Sequence, residues 1–282
     1  MKTVTAILPN YNYAHYIDSR IDEVLSQTYP VSEIIILDDA STDDSKKIIE
    51  AKIAKINNSH PEIKIQAIFN KKNSGNVFAQ WKKGIDAANY DHIWICEMDD
   101  SSSPDFLKNI MPGFNDEKTV LAYSNSRLVN QNDKTLIKDN LRKIKDFFRK
   151  KHSFGNYLID GKEEINRNLA IYNSIPNVSA VVFKNKPNLS IILEKAKQFK
   201  LSGDWFFYIN VAEHGKVFYC DKRLNIHRLH KSSVTETVCL KERFSEIQRI
   251  HHFVLRKPFI KETTKESIMK LEKKLREHWK IR

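Results

Sequence analysis

The sequence predicts an α/β fold: a Rossmann-like, mixed but mainly parallel sheet flanked by helices, with a C-terminal helical extension. Three observations carry that expectation. Short apolar runs alternate with segments of helical spacing through the first 110 residues. Three of the four runs stop at a proline or at acidic residues, as strands do where they emerge from a sheet. Beyond residue 240 two amphipathic patterns follow each other with no strand between them.

The elements follow in order. "TVTAILP" is β-rich and stops at Pro9, and "SEIIILDDAST" is an apolar run stopped by Asp38 and Asp39. Between them Ile17, Ile21, Val24 and Leu25 recur at helical spacing, which makes a β-α-β unit. The pattern repeats with a helix over 43–56, the strand "IKIQAIF", a helix over 76–88 and the strand "HIWICEM". After residue 120 the alternation fades, although "VLAYSNSRLV", "VSAVVFK", "KVFYCDK" and "LNIHRL" still read as strands. A basic insertion at 134–154 interleaves Phe147, Phe148 and Phe154 with its charges. Phe244, Ile247, Ile250 and Val254 mark one helix ending near Pro258; Thr263 with Glu266 resembles a capping box for a second, striped by Ile268, Leu271, Leu275 and Trp279.

With 282 residues and 41% hydrophobic content the chain has material for one large domain, or a domain plus an appendage. We divide it into 1–110, 111–238 and a tail at 239–282. Cys96, Cys220 and Cys239 are odd in number and lack CxxC spacing, which points to free thiols in a reducing cytoplasm. The N-terminus has no uninterrupted apolar stretch of the signal-peptide kind, and no window approaches the ~18 apolar residues of a membrane span. A soluble, cytoplasmic chain is expected. Its net charge of +12 is uneven, with 13 Lys and Arg against 6 Glu in residues 241–282.

In parallel sheets ligands bind beyond the carboxyl ends of the strands. Asn10, Asp38, Asp39, Glu97, Asp99 and Asp100 all fall at such ends, so one crevice is expected to gather them. Clustered carboxylates repel unless a cation or hydrogen bonds neutralise them, and hard oxygen ligands suit Mg²⁺ or Mn²⁺. Mg²⁺ is commonly shared between one or two carboxylates and substrate phosphates. "EMDD" (97–100) therefore suggests a site for a metal-bound diphosphate; the bland alternative is a solvated acidic turn before a helix near Pro104.

"ILPNYNYAHYIDSRIDEVLSQTYPVSEIIILDDASTDDS", "NSGNVFAQWKKGI" and "IWICEMDDSSSPDFL" together resemble the N-terminal half of the family 2 glycosyltransferases, which have the GT-A fold. The resemblance returns at "IPNVSAVVFK", "LSGDWFFY" and "NIHRLHKSSVT", reaching about residue 235. It implies an inverting transfer of a sugar from a nucleotide-diphosphate donor, a UDP-sugar first, to a hydroxyl of a glycan or lipid-linked acceptor, with Mn²⁺ or Mg²⁺. Residues 1–110 would then be the nucleotide-binding half and 111–238 the acceptor half.

By the same resemblance, Pro9 and Tyr11 lie along the nucleobase and Asp38 or Asp39 accepts a hydrogen bond from it. Asn73 and Gly75 approach the ribose or diphosphate, with Met98 also on the donor side. Asp99 is the implied metal ligand, with Glu97, where the family more often has Asp, as a second oxygen source. Asp100 supports the site or an acceptor hydroxyl, and Asn177, Ser179 and Trp205 line the acceptor side. Asp204 in "SGDWFFY" takes the position of the catalytic base, although Gly203 stands where a further acid is usual. Arg228 or His230 is placed at the leaving diphosphate, His230 also as a metal-bound imidazole; His227 is read as packing.

The basic insertion and tail have a composition shared by nucleic-acid binders, by helices on anionic membranes and by solvated helix faces packed on a domain. Beside a glycosyltransferase domain the economical partner is an anionic membrane on the inner face carrying a lipid-diphosphate-linked acceptor, or an anionic glycan, with no nucleic acid expected. The competing class is a non-catalytic basic binding module. The ordered set "LDDAST", "EMDD" and "GDW" argues for the enzyme, since a phosphate binder has no use for clustered acids without a metal.

Overall fold

The computed structural model describes residues 1–137, 155–175, 177–229 and 238–281. His230 and nearly all of the basic insertion lie outside the described residues.

The front half follows the expected alternation: β1 (Val4–Asn10), α1 (Ala14–Leu25), β2 (Glu33–Asp38), α2 (Ser45–Ser59), β3 (Lys64–Phe69), α3 (Val77–Ala87) and β4 (His92–Ile95). β1 pairs in parallel with β2 and with β4, and β2 with β3. Side chains alternate between the faces as a pleated strand requires: Ile7, Ile35 and Leu37 enter one apolar cluster, Ala6, Leu8, Ile34 and Ile36 the other.

Pro9 does not end β1, contrary to expectation; the strand runs on to Asn10. The reason is the side on which its missing N–H would lie. The Ile7 carbonyl accepts from Cys96 and the Asn10 carbonyl from Asp39, so odd residues of β1 face β4 and even ones β2. Beyond Ile7 β4 has ended, and no ladder bond is lost at Pro9.

Past β4 come β5 (Ser101–Ser102), α4 (Phe106–Ile110), β6 (Thr119–Asn130), β7 (Thr135–Ile137), β8 (Tyr157–Asp160), α5 (Gly161–Glu164), β9 (Val181–Lys184), α6 (Leu189–Ala196), α7 (Gly203–Ala212) and β10 (Lys216–Leu229). The sheet order is β3-β2-β1-β4-β9-β6-β10-β5, with β7 on β6 and β8 on β10. β9 is antiparallel to both neighbours, and β6 and β10 run parallel to each other. The two runs expected at "KVFYCDK" and "LNIHRL" are one strand, β10, which shifts register between Cys220 and Arg223. That irregularity takes up the polar Asp221–Lys222 stretch that made the strand look interrupted.

The tail forms α8 (Leu240–Leu255) and α9 (Glu262–His278). Phe244, Ile250, Val254, Ile268, Leu271 and Leu275 are buried in the same cluster as α3, α6 and α7, so the apolar stripes serve the core of the domain. The expected capping box does not form, because α9 starts before Thr263 without a side-chain cap. Asn166 does that work from a distance: its Oδ1 accepts from the Lys261 N–H and from the Thr264 hydroxyl, both at 2.9 Å. No helix among the described residues is long and apolar enough to cross a membrane.

Candidate active site

Beyond the carboxyl ends of β1, β2 and β4 opens a cleft of about 660 Å³, lined among others by Pro9, Tyr11, Asp39, Gly75, Asp99 and Asp204. Of the residues singled out from sequence, Asn73, Glu97, Asp100, Asn177 and Arg228 also line it. Asp38, Met98, Ser179 and Trp205 do not.

The donor side is built by paired loops. Asp38 is turned inward, accepting from Asn10 Nδ2 at 2.8 Å and from the Ser41 N–H at 3.0 Å. Asp39 faces the cleft and anchors the following loop: Oδ1 accepts from Asn70 Nδ2 at 2.6 Å and the Ser74 N–H at 2.9 Å, Oδ2 from the Ser74 hydroxyl at 2.6 Å. Those three bonds leave one acceptor position on Oδ2. Gly75 takes a positive φ of 65°, which Gly adopts without strain, and Asn76 then caps α3 through the Phe78 and Ala79 N–H groups. Tyr11 is 44% exposed at the rim, available for stacking. The Asp43 carboxylate joins the two loops from below, accepting from the Ala14 and Ser45 N–H groups at 3.0 Å each.

The three acids of "EMDD" are not equivalent. Asp100 is buried and held through both oxygens: Oδ2 accepts from Asn177 Nδ2 and the Ser179 hydroxyl at 2.6 Å each, Oδ1 from the Arg228 N–H at 3.1 Å. It fastens three strands' ends together, and burial raises its pKa. Glu97 accepts from the Trp81 indole at 2.8 Å; burial first, then the Asp99 charge, push its pKa up to about 8. Asp99 is half-buried, with the Tyr13 hydroxyl 3.5 Å from its Oδ2. Met98, between them, is buried in the core rather than turned to the cleft.

The Asp99 charge disfavours ionisation of Glu97, a conflict that a divalent cation held by the pair would relieve. Among the described residues no three metal-ligating side chains converge. Two carboxylates completed by substrate oxygens is a donor set that fits Mg²⁺ or Mn²⁺.

Asp204 sits in the first turn of α7 and lines the same cleft. Its Oδ2 accepts from Asn173 Nδ2 at 3.0 Å and its Oδ1 from the Trp205 N–H at 2.6 Å, while burial pushes its pKa up to about 6. Trp205 points away into the core, donating its indole N–H to the Leu169 carbonyl at 2.6 Å. A Cβ on Gly203 would run into the Phe78 ring and stand 2.9 Å from the Ala196 carbonyl, so this packing has no room for a second acid there.

Arg228 is held rather than loose: Nε donates to the Asp99 carbonyl at 2.8 Å, one terminal nitrogen to Asp133 at 2.7 Å, and the guanidinium lies 5.3 Å from the Tyr16 ring. Four contributors were missed from sequence. Trp81 and Asn173 orient Glu97 and Asp204, and His227 lines the cleft with a buried Nδ1 that has no hydrogen-bond partner. Arg20, 1% exposed, donates to the Glu97 carbonyl at 3.1 Å and to Ser102 at 2.9 Å, a cation beneath the acids. A charge on the apolar face of α1, between Ile17 and Ile21, was the available signal.

Comparison with known proteins points to one family. The model of the family described as glycosyl transferase family 2 matches residues 5–171. An uncharacterized glycosyltransferase of Nostoc sp. is 33% identical over 133 residues, 47% of this chain and 39% of that protein. The provisionally assigned teichuronic acid biosynthesis glycosyltransferase TuaG of Bacillus subtilis is 27% identical over 135 residues, 48% of this chain and 51% of that protein. This chain thus spans about half or less of the length of these two relatives.

Among solved structures, S. aureus TarS 1–349 in complex with UDP-GlcNAc superposes with a TM-score of 0.68 at 16% identity, over 100% of this chain and 73% of that one. The mannosyltransferase PcManGT from Pyrobaculum calidifontis, in complex with GDP-Man and Mn²⁺, superposes with a TM-score of 0.64 at 16% identity, over 96% and 69%. At that identity the likeness is one of fold.

Proposed function

The chain belongs to glycosyl transferase family 2, and from that premise we propose that it moves a sugar from a nucleoside-diphosphate donor, a UDP-sugar first, to a hydroxyl of a glycan or lipid-linked acceptor by a single inverting displacement. One observation carries the reading: Asp39 with its loop, the Glu97–Asp99 pair and Asp204 line one cleft.

In this mechanism Tyr11 stacks on the base along Pro9, and Asp39 rather than Asp38 accepts from a base N–H, because Asp39 lines the cleft while Asn10 and Ser41 draw Asp38 inward. The loop through Asn73 and Gly75 brings backbone close to the ribose or diphosphate. Asp99, with Glu97, would hold Mn²⁺ or Mg²⁺, which when bound neutralises charge on the departing diphosphate. Arg228 and His230 serve the same leaving group; His230 lies outside the described residues. Asp204 takes the proton of the acceptor hydroxyl, and a pKa near 6 leaves it ionised at neutral pH yet basic enough to accept. Asp100, Asn177 and Ser179 act as one hydrogen-bonded unit that shapes the acceptor side, with Ser179 behind the two that line the cleft.

TuaG suggests a bacterial surface polysaccharide as the product class. The exposed Lys and Arg of α9 support a peripheral position on the inner face of an anionic membrane, through charge alone, since its apolar stripe is spent on the core.

The test is thermal stabilisation by UDP, GDP, dTDP and CMP, each with Mn²⁺ or with EDTA. One diphosphate, UDP first, stabilises only with metal. The same full response to every nucleotide in EDTA, or none to any, overturns the donor site.

A further inference from the structure

α7 carries Asp204, and the segment leading into it, residues 198–202, is gripped by the C-terminal helix α8. Glu246, 4% exposed, puts its whole carboxylate into that segment: Oε1 accepts from the Lys200 N–H at 2.6 Å, Oε2 from the Leu201 and Ser202 N–H groups at 2.9 and 2.8 Å. Glu242, one turn before, holds the Lys200 ammonium at 2.6 Å. Arg249, nearly one turn after, donates to the Gln198 carbonyl at 3.2 Å and lies 4.3 Å from the Phe199 ring. These three positions, spaced by four and three, form one stripe of α8, separate from the apolar one.

A buried carboxylate in the middle of a helix is costly unless its oxygens are satisfied. Here three consecutive backbone N–H groups satisfy it, at the end of α7 that favours negative charge. The neighbouring contacts fix the rest of the wall. Phe206 packs on Phe253 at 4.8 Å, and His251, fully buried, places Nε2 3.0 Å from the Ile171 carbonyl and its ring edge-on to Trp205 at 5.8 Å. Ile171 leads to Asn173, which holds Asp204 from the other side.

We propose that Glu246 is a positioning residue for transfer: from the C-terminal helix it sets where the Asp204 carboxylate stands in the cleft, so that the tail is part of the reaction machinery. The inference rests on the assignment of Asp204 as base. Glu246 does not touch the reacting atoms. It acts by fixing the chain two residues upstream, where a displacement of an ångström costs rate rather than donor affinity.

The experiment compares Glu246→Gln, Glu246→Ala and Asp204→Asn in the full chain. One readout is amide hydrogen exchange; the other is nucleoside-diphosphate release from UDP-GlcNAc or GDP-mannose with water as acceptor. Glu246→Gln is expected to lower kcat about 10- to 100-fold with donor KM within about twofold, and to speed exchange at Lys200–Ser202 while Phe206–Ala212 stay protected. A merely structural role would raise exchange throughout α7 and lower Tm, with kcat falling only as the folded fraction falls. Unchanged exchange at 200–202, or kcat within twofold of the parent while Asp204→Asn is inactive, overturns the proposal. Retained release in Asp204→Asn instead defeats the base assignment, and the exchange result still reports whether Glu246 grips the segment.

Discussion

Asp39 and Asp204 both line the cleft, the first just past the end of β2 and the second in the first turn of α7, but they are held by different sorts of neighbour. Asp39 is fastened by Asn70 and Ser74, which belong to the next strand–helix unit of the same repeating sheet. Asp204 is fastened by Asn173 from an irregular stretch after α5, on a segment clasped by α8. The first kind of support comes with the parallel topology, since successive strand ends must adjoin. The second depends on one particular packing of helices, and single substitutions should reach it more easily.

The largest effect that tests this contrast is on chemistry. Asp204→Asn should lower diphosphate release by about 10²–10⁴-fold, the usual contribution of a positioned base, while thermal stabilisation by the diphosphate persists. The same variant carries a pH signature. Because the folded pKa of Asp204 lies near 6, above its ordinary value, its contribution to stability is present at low pH and lost as pH rises towards and through 6. The Asn chain should therefore be more stable than the parent by about 2–3 kcal/mol at pH 7.5 and no more stable at pH 3.5, as urea titrations at the two pH values will show.

Next in size, Asp99→Asn should abolish the metal-dependent thermal shift, removing about 2.7 kcal/mol of stabilisation at diphosphate a hundredfold above its Kd. Ser179→Ala, which takes one donor from Asp100 and the acceptor of the Glu97 N–H, should cost about 1–3 kcal/mol of stability by denaturant titration. The smallest effect belongs to Glu242→Gln. Its ion pair with Lys200 is exposed, and Tm should stay within error. A large loss there would erase the distinction drawn between Glu242 and Glu246 on the same helix.

The donor side was legible in sequence because each apolar run ends in a polar cluster, and parallel topology brings such ends together whatever the details. Legibility failed where side-chain direction matters. "DWFFYINVA" is apolar nearly all round, so its period does not say which face looks inward, and Trp205 was assigned to the cleft although it donates to Leu169. Met98 sits between cleft-lining acids and still turns to the core. Asp38 and Asp39 could be separated only by the Asn10 and Ser41 bonds that draw Asp38 in. The tail read as an appendage because its charges dominate its composition, yet a composition does not reveal that Glu246 and His251 are buried.

Phe78 and Gly203 meet where the capped helix of the donor side touches the base helix. That contact makes the order of genetic change matter. An acid introduced at 203 collides with the ring and with the Ala196 carbonyl, so Phe78→Ala should soften its cost without removing it. Restoring the ring while the acid remains brings the first collision back, whereas restoring the glycine is free at any time.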